Sequence, residues 1–218
     1  MNVAVIVFGG VGSRISSALP KQFIKIKDKE LVVYTIEKFN NSKCIDEIVL
    51  VTNKDYLNLT KELVNTYKVN KVKHIFAGGT TRQESVKIAL EKTNYKDDDI
   101  VLIHDGDRPL ISGDIIFVNI KELENHEIVC TAIKHKFANS KVSNSGRKIV
   151  VDGEQIDIQT PQSFKYGLIK TAHLNSNREV SDDISLLEDK YDVYFVDGDK
   201  DNFKVTTNED LEYLKTVL

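Results

Sequence analysis

Four short apolar runs rich in β-branched residues recur along the first half of this chain, and no other feature constrains its fold as much. They are Val3-Ala4-Val5-Ile6-Val7, Ile45-Asp46-Glu47-Ile48-Val49-Leu50-Val51-Thr52, Val72 to Phe76, and Ile100-Val101-Leu102-Ile103-His104. Such runs suit strands buried on both faces, as in a parallel sheet. Leu31 to Phe39, Tyr56 to Tyr67 and a segment ending at Leu90 lie between them with apolar residues at helical spacing. This regular alternation predicts an α/β fold: a doubly wound, mostly parallel, Rossmann-like sheet whose ligands sit at the carboxyl ends of its strands. With 218 residues, 41% of them hydrophobic, the chain suits one domain spanning residues 1–218.

The first run passes directly into Gly9-Gly10-Val11-Gly12-Ser13-Arg14, with Pro20-Lys21-Gln22-Phe23 close behind. Glycines there allow a sharp turn and bare backbone N–H groups that can cradle phosphate oxygens, and Arg14 and Lys21 add fixed positive charge. Taken alone, the stretch fits a nucleotide triphosphate site and a flexible glycine turn with solvated cations equally well. It is not a P-loop, because Gly12-Ser13-Arg14 stands where Gly-Lys-Ser/Thr is required. Nor is it the dinucleotide fingerprint, since Ile15 replaces the third glycine. Two further loops follow strands: Gly78-Gly79 running through Thr80-Thr81-Arg82-Gln83-Glu84-Ser85, and Asp105-Gly106-Asp107-Arg108-Pro109. Convergence of all three on one rim favours the nucleotide reading. Thr80 or Thr81 with Gln83 or Glu84 also resembles an N-cap with its box partner.

Bulk composition excludes several classes. Lys+Arg 30 against Asp+Glu 33 gives a net charge of -3, and the lysines are scattered, so nothing calls for nucleic acid or an anionic membrane. Cys44 and Cys130 have no metal-binding spacing and suit reduced thiols in or near a core. The opening apolar run lacks a basic flank and meets glycines at once, unlike a signal peptide. No apolar stretch approaches the ~20 residues needed to span a bilayer. A soluble, cytoplasmic protein is expected.

In the second half, Ile115 to Leu123 is expected as a helix and Glu127 to Ile133 as a strand. Residues 134–154 turn polar, with Asn144-Ser145-Gly146 between β-prone flanks. They are expected as a projecting hairpin arm, the alternative being a disordered loop. A short helix is expected over Tyr166 to His173, another beginning at Val180-Ser181-Asp182-Asp183, a strand over Tyr194 to Val196, and a capped helix from Asn208 to Val217.

These landmarks, in this order, resemble the cytidylyltransferases that activate polyol phosphates, of the 2-C-methylerythritol 4-phosphate and ribitol 5-phosphate types. The resemblance spans nearly the whole chain. It rests on Gly10-Val11-Gly12-Ser13-Arg14 with Lys21, Gly78-Gly79 with Arg82 and Ser85, His104-Asp105 with Arg108-Pro109, Thr160-Pro161-Gln162, Ser181-Asp182-Asp183, and Asn202-Phe203-Lys204-Val205-Thr206. It implies CMP transfer from CTP to a polyol phosphate with release of pyrophosphate, in isoprenoid or teichoic acid biosynthesis. By the same resemblance Arg14, Lys21 and Lys204 are the catalytic cations, and Gly9, Gly10, Gly12, Gly79, Arg82, Ser85 and Asp105 bind nucleotide, with Gly79 and Ser85 reading cytosine. Asp105 would hold Mg²⁺, Lys136 would face the acceptor, Arg108 would either face it too or act as a structural partner of Asp105, and the arm would make a homodimer. His104 is expected as a hydrogen-bonded strand-end residue and not a catalyst.

Several positions depart from the family pattern. Phe8 stands where small residues are usual, and Asp107 where a small or apolar residue is usual; Asp107 could add a metal ligand or pair with Arg108. Methylerythritol-type enzymes carry Asp-Thr where this chain has Phe137-Ala138-Asn139, and an arginine where Asp152 stands. A carboxylate cannot grip a phosphate as an arginine does. Lys136, Lys141, Arg147 or Lys148 would have to take over, or the acceptor is another sugar phosphate of a surface-polysaccharide pathway. A nucleotide-binding, non-catalytic homologue is a second alternative. A glycosyltransferase using the Asp105-Gly106-Asp107 pair is a third.

Overall fold

Along β1 (Asn2–Val7) the side chains alternate between two cores, which is why the strand reads as continuously apolar. Val3, Val5 and Val7 join one cluster, while Ala4 and Ile6 join another on the opposite face. The computed structural model describes residues 1–10, 19–142 and 148–218, with no side-chain description for 136–155. The small ribbon β2 (Lys25–Ile26) and β3 (Lys29–Glu30) leads into α1 (Leu31–Asn41). Then come β4 (Glu47–Thr52), α2 (Leu57–Thr66), β5 (Val72–Ala77), α3 (Arg82–Lys92), β6 (Ile100–Asp105) and α4 (Gly113–Glu122). The chain continues through β7 (Ile128–Val142), β8 (Lys148–Lys165), α5 (Tyr166–Asn175), β9 (Tyr194–Asp197) and α6 (Asn208–Val217).

The strands form one seven-stranded sheet in the order β5-β4-β1-β6-β8-β7-β9. Only β8 runs against its neighbours: β6 and β7 pair with it antiparallel, and every other pair is parallel. Helices α3 and α5 cover one face through Val86, Leu90, Tyr166 and Ile169. Helices α1 and α4 cover the other through Val32, Ile36, Phe39 and Ile116. Each large side chain buried this way contributes ~1.5–3 kcal/mol. The chain leaves β1 toward β4 and β5, then returns to the other side of β1 for β6. A crevice therefore opens at the carboxyl ends of β1 and β6, the place where such sheets bind ligands.

The expected fold class, a mostly parallel sheet with helices on both faces, is observed. The β7–β8 ladder runs on past the sheet, from Lys134 opposite Ile156 to Val142 opposite Lys148. The expected turn at Asn144-Ser145-Gly146 lies outside the described residues. One helix differs from expectation. Val180-Ser181-Asp182-Asp183 leads only into a 3₁₀ turn, Ile184–Leu186. The Gln162 side-chain oxygen accepts from the N–H groups of Asp183 (2.8 Å) and Ile184 (3.2 Å), pinning this segment to β8. No helix among the described residues is long and apolar enough to cross a membrane.

Candidate active site

Three strand ends and one returning segment build the crevice. At the end of β1, Gly9 and Gly10 are held by the buried Gln22, whose amide donates to the carbonyls of Phe8 (2.6 Å) and Gly10 (2.7 Å). Gln22 and Lys21 sit on the 3₁₀ turn Lys21–Phe23, which follows Pro20. At the end of β5, Gly78 and Gly79 turn into α3, where Thr81 caps the helix by accepting from the Glu84 N–H. The Glu84 carboxylate reaches back to Thr80 rather than to Thr81 itself, taking its N–H (2.6 Å) and hydroxyl (2.7 Å). Glycine is required at Gly79, because a Cβ there would meet the Glu84 Cβ at 2.4 Å.

The returning segment is Asn202 to Thr207, which carries Lys204. Buried Asn202 donates to the Thr160 carbonyl (2.8 Å), and its own carbonyl accepts from Arg108 (2.8 Å). The Val205 N–H donates to the Asp107 carbonyl (2.9 Å). Downstream, Thr207 and Asp210 form a capping box that starts α6, and Asp210 also accepts from the Thr206 N–H (2.7 Å). Residues from the far end of the chain are thus locked against β6.

Together these elements enclose a cavity of about 360 Å³. Its walls include Gly9, Gly10, Lys21, Gln22, Gly79, Arg82, Ser85, Asp105, Asp107, Lys204 and Thr206. Asp105 is its electrostatic centre. One carboxylate oxygen accepts from Arg82 (2.9 Å); the other accepts from Lys204 (3.0 Å), with the Arg108 guanidinium 3.5 Å away. Burial pushes the Asp105 pKa up, but Arg82, Lys204 and Arg108 outweigh it and hold the group ionised, well below the usual carboxylate range. Arg82 reaches past Asp105 to Asp183 (2.7 Å), which also meets His173 at 3.0 Å. Burial opposes the Arg82 charge; Asp183 and Asp105 overcome that and raise its pKa further. His104 is wholly buried against the Thr160 hydroxyl (2.9 Å), and burial pushes its pKa down to about 3. It is a neutral strand-end residue, as its position suggested.

Of the sequence-predicted residues, Lys21, Lys204, Asp105, Arg82, Gly9, Gly10, Gly79 and Ser85 share this one cavity. Arg14 and Gly12 lie outside the described residues, and the Lys136 side chain is likewise not described. Arg108, expected either to partner Asp105 or to face the acceptor, is buried beside Asp105 and donates to the Asn202 carbonyl. Asp107 pairs not with Arg108 but with Lys21, at 2.6 Å. Ser85 and Gly79, expected to read a base, hydrogen-bond each other, the Gly79 N–H donating to the Ser85 hydroxyl at 3.2 Å. Sequence reasoning assigned no role to Gln22 or Thr206. The only signal for Gln22 was a polar residue between Lys21 and Phe23, and its partners Phe8 and Gly10 emerge only from the fold.

As a seat for a divalent cation, the described residues offer Asp105 and Asp107 on the cavity wall, and no cluster of three His, Cys, Asp or Glu side chains. One Asp107 oxygen is buried without a hydrogen-bond partner. That donor set fits an ion that takes most of its ligands from phosphate oxygens and water, as Mg²⁺ does, and does not fit a closed protein cage.

A glycine-walled cavity at the switch point of a doubly wound sheet, with Lys21, Arg82 and Lys204 around an ionised aspartate, defines the nucleotidyltransferase class. The family model described as "IspD: 2-C-methyl-D-erythritol 4-phosphate cytidylyltransferase" matches residues 2–218. A relative of that name from Clostridium novyi is 39% identical over 100% of this chain and 96% of its own. One from Thermosipho africanus is 40% identical over 98% and 96%. The solved 4-diphosphocytidyl-2C-methyl-D-erythritol synthase of Anaerococcus prevotii superposes with a TM-score of 0.84 at 28% identity, covering 99% of this chain and 94% of that one. The chain belongs to the 2-C-methyl-D-erythritol 4-phosphate cytidylyltransferase family.

Proposed function

We propose that this protein transfers CMP from CTP to 2-C-methyl-D-erythritol 4-phosphate and releases pyrophosphate. The observation that carries the reading is that Lys21, Arg82, Asp105 and Lys204, drawn from distant segments, line one cavity with Gly9, Gly10 and Gly79. An acceptor phosphate oxygen, already anionic at neutral pH, attacks the α-phosphorus; the new O–P bond forms as the bond to the bridging oxygen of the leaving pyrophosphate breaks. No general base is needed. The requirement is to hold two mutually repelling anions in line and to offset charge developing on phosphorus, which fixed cations do best in a partly desolvated cleft. Lys21 and Lys204 line the same cavity and serve as those cations, and the family resemblance gives Arg14 the same role. Gly79 and Ser85 select the small cytosine ring once their mutual hydrogen bond opens to it.

Asp105, with phosphate oxygens, would hold a Mg²⁺ that neutralises triphosphate charge. The long β7–β8 ladder beyond the sheet supports a homodimer through residues 134–154, in which Lys136 serves the acceptor. A cytoplasmic location is in keeping with the use of CTP and a phosphorylated acceptor.

Pyrophosphate release from CTP, measured with 2-C-methyl-D-erythritol 4-phosphate and D-ribitol 5-phosphate in parallel, tests this. Turnover with the first and little with the second is expected. Preference for ribitol phosphate would move the chain to teichoic acid chemistry. No release with either would refute the reading.

A further inference from the structure

Beyond offering an oxygen to a cation, Asp107 makes one of the shortest ion pairs among the described residues. Its Oδ2 lies 2.6 Å from the Lys21 ammonium, whose Nζ also donates to the Val205 carbonyl at 2.6 Å. Both side chains are nearly buried, at 11% and 12% exposure. The Asp107 carbonyl accepts from the Val205 N–H, so Asp107 and Val205 hold each other as well as the lysine. An ammonium has three N–H groups, and these contacts use two. Lys21 lines the cavity, so the third is the donor left for a ligand there.

On charge alone, Asp107 works against the site. Among the described residues, the charged side chains lining the cavity are Lys21, Arg82 and Lys204 against Asp105 and Asp107, so Asp107 weakens the attraction for a triphosphate. What it supplies is position. A free lysine has four rotatable bonds and must be ordered on each turnover; one clamped between a carboxylate and a carbonyl is ordered beforehand. The second Asp107 oxygen, buried without a hydrogen-bond partner, lies 3.9 Å from the Lys204 ammonium and biases that cation toward the same point.

We infer that Asp107 is a positioning residue: with the Val205 carbonyl it fixes the Lys21 ammonium so that its remaining N–H meets the phosphate of bound nucleotide. The inference rests on the proposed function, and its test separates the two. In Asp107→Ala, kcat should fall by about tenfold or more while KM for CTP stays level or drops, because a negative charge has left the cavity. Asp107→Asn keeps an acceptor for Lys21 and should restore most of kcat. The Mg²⁺ concentration giving half-maximal rate should not move.

A second measurement needs no turnover. Acetic anhydride labelling of the nucleotide-free protein, read by peptide mass spectrometry and normalised to the exposed Lys25, should modify Lys21 faster in Asp107→Ala than in the parent. If Asp107→Ala does not fold, Asp107→Ser carries both measurements. Unchanged kcat, a loss confined to KM, a raised Mg²⁺ requirement or unchanged Lys21 labelling would each overturn the inference. A parent protein inactive with CTP would refute the proposed function, while labelling still decides whether Asp107 holds Lys21.

Discussion

The two halves of the sheet are built on different principles. On the parallel side, β5, β4, β1 and β6 are six residues each, β4, β1 and β6 almost wholly buried, and every one ends at the rim of the cavity or beside it. On the other side β8 runs for 18 residues and β7 for 15, and their mutual pairing continues beyond their pairing with β6 and β9. The parallel half supplies glycine turns and the carboxylate that gathers the cations. The antiparallel half supplies anchors: Thr160 for His104, Gln162 for the segment carrying Asp183, and Gln159 for Asn202. Chemistry sits on one half and its alignment depends on the other.

If that division holds, the largest effect comes from removing a cation at the cavity. Lys204→Ala should lower kcat by about a hundredfold or more without loss of fold, since its side chain is more than a third exposed and packs little. A melting curve within error of the parent, beside a collapsed kcat, is the expected pair of results. Near-normal turnover would dissolve the contrast between the halves.

Next in size is the tie between them. Asp183 lies between Arg82 and His173 with 1% side-chain exposure, and Asp183→Asn leaves the guanidinium short of a counter-charge. Breaking a buried pair from one side costs about 3 kcal/mol or more. Urea denaturation should show that loss, and because Arg82 also holds Asp105, CTP binding should weaken with it. Loss of stability with CTP affinity intact would show that Arg82 braces the fold and not the site.

Acid should loosen the same seam. His104 has a folded pKa of about 3, set by burial, against ~6.5 in an unfolded chain. Between those values the unfolded state binds a proton that the native state does not, so stability rises with pH through this window and falls on acidification. The slope due to one such group approaches about 1.4 kcal/mol per pH unit, and above the unfolded value it contributes nothing. Asp105 and Asp183, both held below the usual carboxylate range, act in the same direction at lower pH. Urea midpoints between pH 7 and pH 4 in the parent and in His104→Gln should therefore diverge in slope, the variant being flatter.

The same asymmetry governs what the sequence revealed. The parallel half was legible because burial on both faces writes itself into continuous runs such as Val3 to Val7, and because glycine and aspartate at their ends have few other uses. Asp105, Lys21 and Lys204 could be singled out as residue types, but their partners could not. Lys21 finds Asp107 and Val205, and Arg82 finds Asp183, across separations at which no local pattern carries information. The segment after Val180 is placed by an equally distant partner: Gln162, on a strand, accepts from the N–H groups of Asp183 and Ile184. Arg108 is ambiguous in sequence, because an arginine beside an aspartate can touch a ligand or brace the carboxylate, and its burial on Asp105 and Asn202 appears only in the fold.

The smallest expected effect compares one glycine from each half. At Gly106, just past β6, a Cβ would come within 2.8 Å of the Phe8 Cβ and 3.2 Å of Val32. A Cβ moves only with its backbone, so Gly106→Ala must displace β1 or the turn itself, at about 1–3 kcal/mol. At Gly198, just past β9, the nearest atom is the Gln159 side-chain oxygen at 2.5 Å, the far end of a flexible side chain. Gly198→Ala should therefore lower stability less. The displaced amide, however, is the one that accepts from Asn202 and so helps seat the segment bearing Lys204. Thermal melts should rank Gly106→Ala as the more damaging, while kcat should be reduced in Gly198→Ala beyond what its stability loss explains. An equal fall in melting temperature with unaltered kcat in Gly198→Ala would mean that the antiparallel half does not align the site through Gln159.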